Sequence, residues 1–548
     1  MPAAMTTARF RPVFGALLVG IATATAPCAV SAGTISSWSG STSAAWSANG
    51  NWVVPANKPT ASGTYSLVYS GTPTNTTSNN NVGVVNIDSI LFSNNGSVGQ
   101  TSAFTVGSTL TNSITLLNGA TITTTAVSGT TLQDTLSSAV TMSGTSTFSL
   151  GTDHGVRLTG SISGSGTVVK QGAGELVFTS ASTITGGFGG IRIDSGAVTL
   201  QGSEKLAALN GLTVSIGGSA AGTLTLSGGA SATSGTSTVN FQMGNDATIQ
   251  LTNSPSLNTR FSAADFNVAN AAVTTGKTLS FTGGGSGNQQ SVTVDGVIRD
   301  NSANGGIVDV AFGGKNIYVL NAASTYTGST SVVSSVLVNG TLASPTVTVS
   351  STAGIGGYLG GSGLISGTLS VFSGGSFAPG GTASGSTLTD SVATFTVGSL
   401  ALNSGATTAL SVNGTAPGIL NGFDQVAFTG GSTSLTYGGL LDLTLSGSYA
   451  NYTAFDLFSG FTSQVGDFTS IALSALGTSY QGLTFSGPTG GVWETSKNGS
   501  GQSLKFDQST GTLAVVPEPS AWVIATIGTS LFSLSRWRQR AARRVRVA

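Results

Sequence analysis

Cysteine, histidine and charged side chains are scarce in this chain. Its 548 residues include one cysteine, one histidine and only 7% charged residues. A single cysteine cannot form an intrachain disulfide, so a folded body must be held by its core and its hydrogen bonds. A single histidine cannot supply a histidine pair for zinc, which excludes an ordinary zinc site.

The charges balance overall but not along the chain. There are 19 basic and 19 acidic residues. Two arginines near the N-terminus and six near the C-terminus leave 11 basic residues in the body, whereas all 19 carboxylates lie between those ends. A weakly acidic, sparsely charged body lacks the basic face that nucleic-acid binding requires, so we expect no nucleic-acid partner.

Helical patterns are also missing between Gly33 and Val515. Instead, short runs alternate apolar and polar residues, as in 167–170, 175–178, 190–194 and 197–200. Glycine and serine clusters separate these runs, and the chain has 80 glycines. Period-two runs of four to six residues that are separated by glycine indicate strand, turn, strand. The sequence therefore predicts an all-β body.

The N-terminus has the pattern of a secretory signal peptide. Arg9 and Arg11 precede an apolar stretch at 13–24, and small residues precede a cleavage position between Ala32 and Gly33. The cysteine, Cys28, lies inside this segment. We therefore predict export and begin the fold at Gly33.

The C-terminus combines a proline motif, an apolar run and a basic end. Pro517 and Pro519 flank Glu518 and favour extended backbone, which a protease can read as a strand. The apolar run 521–534, extended to 537, predicts a short transmembrane helix. The arginines that follow predict a membrane stop with a cytoplasmic C-terminus; they are Arg536, Arg538, Arg540, Arg543, Arg544 and Arg546.

This tail resembles the PEP-CTERM sorting domain of Gram-negative, exopolysaccharide-making bacteria. The resemblance covers 516–546 and follows the order of Pro-Glu-Pro motif, hydrophobic helix and arginine cluster. It implies recognition and cleavage by an exosortase, a membrane-embedded cysteine transpeptidase. Pro517, Glu518 and Pro519 would carry that recognition.

Internal repeats resemble the autotransporter-associated β-strand repeat, also called the passenger-associated transport repeat. The first copy, at 164–200, includes Lys170-Gln-Gly-Ala-Gly-Glu-Leu-Val-Phe178. A looser copy at 314–342 keeps Tyr326-Thr327-Gly328. The segment Gly374-Gly-Ser-Phe-Ala-Pro-Gly-Gly381 and the motif Phe423-Asp424-Gln425-Val426 extend the resemblance.

A right-handed parallel β-helix, or solenoid, accounts for these repeats, because stacked coils bury a continuous apolar column. The open first coil needs a cap, for which Trp38, Trp46 and Trp52 are candidates; the alternative for these tryptophans is sugar stacking. The predicted domains are a signal peptide (1–32), an N-terminal cap (33–58), a β-helix (59–345), a further β-solenoid or small β-sandwich-like region (346–515), and the tail (516–548) with its helix (521–537).

Candidates for chemistry are few. His154 lies between Asp153 and Arg157, either as a small site or as a polar turn between coils. Glycosidases need two carboxyl groups roughly 5 to 10 Å apart, and Asp295 and Asp300, with Arg299, are the best local candidates. The other acids of the solenoid are scattered: Asp88, Asp134, Asp153, Glu175, Asp194, Asp246 and Asp265. We expect no catalytic residue, no metal and no cofactor.

The sequence thus predicts a non-catalytic surface or extracellular-matrix protein. It would be exported through the inner membrane, held by its C-terminal helix and then processed. Its expected partners are an exosortase-type enzyme, and exopolysaccharide or further copies of itself. The alternatives are a β-helical polysaccharide lyase or glycoside hydrolase and an adhesin-like passenger.

Overall fold

The computed structural model describes residues 33–518, except for 94–102, 109–111, 129–130, 186, 203–208, 210, 228–238, 253–258, 262–264, 269–275, 284–289, 301–305, 353 and 385–386. Within these residues the chain is all-β, as predicted. Its two helices there are single 3-10 turns, Asn49–Asn51 and Pro55–Asn57. The predicted signal peptide and membrane helix lie outside the described residues, as do Ala32, Pro519 and the C-terminal arginines.

Three sheets of parallel strands run along the body. Sheet 1 has 13 strands. Its main ladder consists of Thr34–Trp38, Thr64–Ser70, Val85–Ser93, Ser113–Thr124, Ser146–Leu150, Thr167–Gln171, Gly190–Ile193, Thr213–Ile216, Asn240–Met243, Asp265–Val268 and Val297–Arg299. Ala139–Met142 and Ile162–Ser163 form a side branch.

Sheet 2 extends the full length of the solenoid. Its main ladder consists of Thr77–Asn80, Thr105–Ser108, Leu132–Leu136, His154–Leu158, Glu175–Phe178, Gly196–Gln201, Gly222–Ser227, Ala247–Thr252, Lys277–Gly283, Val308–Phe312, Thr330–Val332, Thr346–Val349, Leu364–Val371, Thr394–Leu402, Ser434–Tyr437 and Ser463–Gly466. Four shorter strands join the long ones at 364–371 and 394–402: Ala323–Ser324, Thr341–Leu342, Gln425–Phe428 and Phe458–Ser459.

Sheet 3 is present only in the later coils. Its strands are Thr259–Phe261, Ser291–Val294, Ile317–Leu320, Ser335–Val338, Tyr358–Gly361, Ser376–Pro379, Thr407–Val412, Leu440–Leu445 and Ser470–Ser474. Sheet 1 ends at Val297–Arg299, so the coils that follow are built from sheets 2 and 3. Parallel sheets of this kind are consistent with a β-helix, or solenoid.

The coils stack in register around an apolar interior. Val168 pairs with Ile191 and Ile191 pairs with Val214, so one coil takes 23 residues here. All three side chains are at most 1% exposed. Each such burial stabilises the fold by about 1.5–3 kcal/mol. The alternation read from the sequence therefore separates a continuous core column from an outer hydroxyl-rich skin.

Antiparallel pairing occurs at the C-terminal end of the described body. Five strands form a mainly antiparallel sheet in the spatial order Ala454–Asp456, Thr512–Pro517, Gln502–Asp507, Val492–Thr495 and Phe485–Thr489. Phe458 of the solenoid contacts Phe506 of this C-terminal sheet, with ring centroids 6.2 Å apart. The C-terminal sheet thus packs on the last coils, where a parallel ladder would otherwise end in open strands.

Candidate functional site

The three N-terminal tryptophans are buried. Trp38, Trp46 and Trp52 are 2%, 0% and 3% exposed. Trp46 Nε1 donates to Ser78 Oγ at 2.5 Å, and Trp38 Nε1 donates to the Asn75 carbonyl at 2.9 Å. Their faces pack on one another and on the first coils, so they are not available for stacking on a sugar.

The single histidine belongs to a buried pair. Its Nε2 lies 2.6 Å from Asp134 Oδ2, on the neighbouring coil, and its Nδ1 lies 2.7 Å from the Thr125 carbonyl oxygen. The second carboxylate oxygen of Asp134 accepts the Phe104 backbone N–H at 2.7 Å. Both ring nitrogens of His154 face oxygens, so Nδ1–H donates to the carbonyl oxygen, which can only accept, and Nε2 and Oδ2 form the second hydrogen bond of the ring.

The structure does not assemble a site from Asp153, His154 and Arg157. Asp153 is exposed in a left-handed turn with φ 58°. The Arg157 Nη1 donates to Gln133 Oε1 at 3.4 Å. His154 and Asp134 are 1% and 0% exposed, so they offer no surface to a substrate. Sequence reasoning treated Asp134 as one scattered acid and missed this pair.

Lys170, in the first repeat, is held by backbone carbonyls. Its Nζ donates to the oxygens of Gln171 at 2.8 Å, Gly172 at 2.7 Å and Ser195 at 3.4 Å. Gly172 has φ 77°, and a Cβ there would lie 2.2 Å from the Leu150 oxygen. The Lys-Gln-Gly element thus closes one turn tightly and ties it to the next coil.

Burial changes the acid–base properties of this lysine. Lys170 is fully buried, and removal of its ammonium from water lowers its pKa to about 8. The negative charge of Glu175 acts in the opposite direction. The lysine is enclosed by the turns that it ties, which is the position of a structural group.

The predicted carboxylate candidates bind different groups of the following coil. Asp295 Oδ1 accepts the Asn321 Nδ2–H at 2.8 Å. Asp300 Oδ2 accepts the Thr327 N–H at 2.8 Å and its hydroxyl at 2.6 Å. Arg299 lies exposed between them in sequence. These contacts tie one coil to the next.

A second buried carboxylate, Asp424, was not singled out as a site. Its oxygens accept the backbone N–H groups of Ala393 at 2.8 Å and Ser411 at 2.7 Å. Asp390 accepts the Ser411 hydroxyl at 2.6 Å. Burial raises the pKa of Asp424 to about 7, the two backbone hydrogen bonds oppose this rise, and the charge of Asp390 adds to it. The motif Phe423-Asp424-Gln425-Val426 was the available signal.

The predicted sorting motif begins where the described body ends. Pro517 is the last residue of the strand Thr512–Pro517, so its backbone is extended. The Glu518 N–H donates to the Gly501 carbonyl at 2.8 Å, and Lys497 Nζ lies 2.8 Å from Glu518 Oε1. The hydrogen bond and charge of Lys497 lower the pKa of Glu518. At the other predicted cleavage site, the Gly33 N–H donates to a carboxylate oxygen of Asp88 at 2.6 Å.

A hairpin leaves the solenoid after the segment Gly374-Gly-Ser-Phe-Ala-Pro-Gly-Gly381. Gly380 and Gly381 have φ of 83° and 93° and turn the chain outward. Thr382–Ser384 and Thr387–Thr389 then pair antiparallel, and we call these two strands the flap. The Gly381 N–H donates to Ser391 Oγ at 2.9 Å, which closes the base of the flap.

Gly380→Ala should loosen the base of the flap. An alanine Cβ would lie 1.5 Å from the Ser391 oxygen and would impose a left-handed φ on a non-glycine residue. We expect a cost of about 1–3 kcal/mol, because a surface hairpin can move aside. Hydrogen exchange at 380–393 should accelerate, whereas Gly430→Ala, which has open space around its Cβ, should leave exchange unchanged. Unchanged exchange in Gly380→Ala would contradict this role.

The described residues contain neither a metal-binding cluster nor a membrane-spanning helix. No group of three or more histidine, cysteine, aspartate or glutamate side chains is placed to hold a metal ion there. Among the same residues, no helix is long and apolar enough to cross a membrane.

Comparisons with protein families and with curated proteins found no match to this chain. No protein-family model matches it, and no curated protein is significantly similar to it. Functional proposals for this chain therefore rest on its residues and geometry.

Proposed function

We propose that this chain is an exported, non-catalytic surface or extracellular-matrix protein of a Gram-negative bacterium. Its N-terminal segment 1–32 would direct export, and its solenoid, right-handed as almost all parallel crossovers are, would form a stiff rod. The C-terminal helix would hold it in the inner membrane until an exosortase-type enzyme processes the tail. The matrix exopolysaccharide and further copies of the chain are its proposed partners.

One observation carries this proposal: the last described strand runs directly into the Pro-Glu-Pro motif. A protease binds its substrate in extended form, and Pro517 already has that geometry at the end of the body. The Glu518 contact with Lys497 joins two exposed side chains, which are 61% and 48% exposed, respectively. Such a pair is weak, so the motif can separate from the body.

The stacked coils support a mechanical role. Their ionisable groups are few, and several are tied into the fold: Asp134 to His154, Lys170 to turn carbonyls, and Asp424 to backbone N–H groups. Side chains held in this way stabilise a rod and are not free to act on a substrate.

Processing at the motif predicts the C-terminus of the mature protein. Mass spectrometry of the chain from its native cells should find a terminus near 517–519. Glu518→Gln should reduce this cleavage severely, because the recognised carboxylate is lost, and the protein should stay in the membrane fraction. Glu494→Gln, two strands away in the same sheet, is the matched control and should be processed normally.

Two results would contradict the proposal. An intact Ala548 in surface-located protein would remove processing and leave only anchoring. Polysaccharide turnover that is lost in Asp295→Ala or Asp300→Ala would favour the lyase or hydrolase alternative over a non-catalytic rod.

A further inference from the structure

A cleft of about 530 Å³ lies between the flap and the outer face of sheet 3. This volume falls within the roughly 300–1,000 Å³ of sites that hold small ligands. Its floor is a row of outward side chains from successive coils, in which Thr293 pairs with Val319 and Val319 pairs with Leu337. Thr382 and Ser391 belong to the flap side of the cleft.

The floor is apolar where the outer face is otherwise polar. Leu337 points away from the solenoid core, yet it is only 1% exposed. The Gly381 backbone covers it, since a Cβ on Gly381 would lie 3.2 Å from Leu337 Cδ2. Val319, next to it, is partly exposed. Val319 thus presents an open aliphatic surface at the foot of the flap, beside the covered Leu337.

One side of the cleft carries a ladder of amides. Asn321 Nδ2 donates to Asp295 Oδ1 at 2.8 Å, and Asn339 Nδ2 donates to Asn321 Oδ1 at 3.0 Å. These bonds fix both amide planes and leave Asn339 Oδ1 and one amide hydrogen on each side chain to a ligand. Both asparagines are exposed.

The cleft lining is uncharged. Among the described residues that form it, hydroxyl, amide and small apolar side chains occur without any lysine, arginine, aspartate or glutamate. An anionic ligand would find no counter-charge on this surface. A ligand with hydroxyl groups on its rim and C–H groups on its faces would match the lining.

The main chain of the floor is already paired. The strands Ser291–Val294, Ile317–Leu320 and Ser335–Val338 each have a neighbour on both sides within sheet 3. An extended peptide binds chiefly by adding to a free sheet edge. The floor is a sheet face, so recognition must come from side chains, which favours a saccharide over a peptide.

We propose that this cleft binds a segment of a neutral glycan. The cleft lining from Thr293 to Ser362 belongs to four successive coils, which span about 14 Å at the spacing of parallel strands. A short oligosaccharide lies along it with a ring C–H face on Val319 and with its hydroxyls on Asn321 and Asn339. This assignment rests on the exopolysaccharide partner of the proposed function and gives it a site, and it is independent of the sorting tail.

The test uses the purified full chain and defined oligosaccharides. Neutral hexasaccharides with β-1,3, β-1,4 and α-1,4 linkages are titrated calorimetrically, beside an alginate hexasaccharide and a serine/threonine-rich decapeptide. At least one neutral glycan should bind, and Asn339→Ala should weaken it about tenfold, because a polar contact of ordinary strength is lost. Val319→Asp should abolish binding. Asn86→Ala, on the outer face of sheet 1, is the control and should bind as wild type.

Three outcomes would overturn the assignment. The first is no binding of any neutral glycan, and the second is wild-type affinity in the Asn339→Ala and Val319→Asp variants. The third is tighter binding of the alginate or the peptide than of any neutral glycan. If Val319→Asp fails to fold, Thr382→Ala on the exposed flap replaces it and should weaken binding without a change in unfolding midpoint. C-terminal processing should be unaffected in every variant, so a failure here is distinguishable from a failure of the sorting proposal.

Discussion

Asp134→Ala should destabilise the early coils by about 3–5 kcal/mol, because it removes one partner from a buried, hydrogen-bonded pair. The substitution leaves His154 Nε2 without a hydrogen-bond partner and the Phe104 N–H without an acceptor in a region that water does not reach. Urea unfolding should register the loss through the fluorescence of Trp38, Trp46 and Trp52, which are buried at that end of the solenoid.

Asp134→Asn is the informative companion. An asparagine oxygen can still accept the Phe104 N–H, and its amide can donate to neutral His154, so most of the loss should be avoided. Asp467→Ala, at an exposed carboxylate, should change the unfolding free energy by no more than about 0.5 kcal/mol. Equal losses in the Asp134 alanine and asparagine variants would show that charge, rather than hydrogen bonding, holds the pair together.

The strands themselves could be predicted because their signal is local. The alternating runs at 167–170, 175–178, 190–194 and 197–200 correspond to the strands Thr167–Gln171, Glu175–Phe178, Gly190–Ile193 and Gly196–Gln201. Most apolar residues of these strands face the interior and most polar residues face outward; Lys170, in register with the core residues Phe148 and Ile193, is a buried exception. Period-two alternation needs no knowledge of the neighbouring coil, which is why it can be read from the sequence.

The contacts between coils could not be predicted, because turn lengths vary. The same core column advances by 23 residues from Val168 to Ile191 and by 27 from Val214 to Phe241. Leu132 pairs with His154, an advance of 22, and only that register places Asp134 beside the histidine ring. A one-residue error would have turned the carboxylate to the other face.

The flap was hidden for a related reason. Its flanking segment, Gly374 to Gly381, resembles a repeat motif, and no local signal marks where the chain leaves the coil. The strand Ser376–Pro379 indeed belongs to sheet 3, but the two glycines after it have positive φ and lead the chain out of the solenoid. With 80 glycines in the chain, composition alone does not distinguish these two from glycines that close ordinary turns.

Lys170 gives the second large effect, and it depends on pH. The pKa of this lysine is about 8 in the fold, against about 10.5 in an unfolded chain. The unfolded state therefore binds more protons between pH 8 and 10.5, so stability must rise with pH across that window. A difference of this size corresponds to about 3 kcal/mol at 1.36 kcal/mol for each pH unit.

The geometry explains how the neutral amine is accommodated. A neutral amine keeps two N–H groups, which suffice for the Gln171 and Gly172 carbonyls at 2.8 and 2.7 Å. The contact that is given up is the long one, at 3.4 Å, to Ser195. Deprotonation thus removes a buried charge and keeps the two short hydrogen bonds.

Urea unfolding of the wild type and of Lys170→Met should be compared at pH 7, 8, 9 and 10. The wild-type free energy should rise above pH 8, whereas Lys170→Met should be less stable at every pH and should lack the rise. Buried Tyr69 and Tyr318 have raised pKa values and act with the opposite sign above about pH 10, which sets the upper limit. Lys315→Met, at an exposed lysine, should keep the wild-type slope. Equal slopes in wild type and Lys170→Met would mean that the buried ammonium does not titrate in this window.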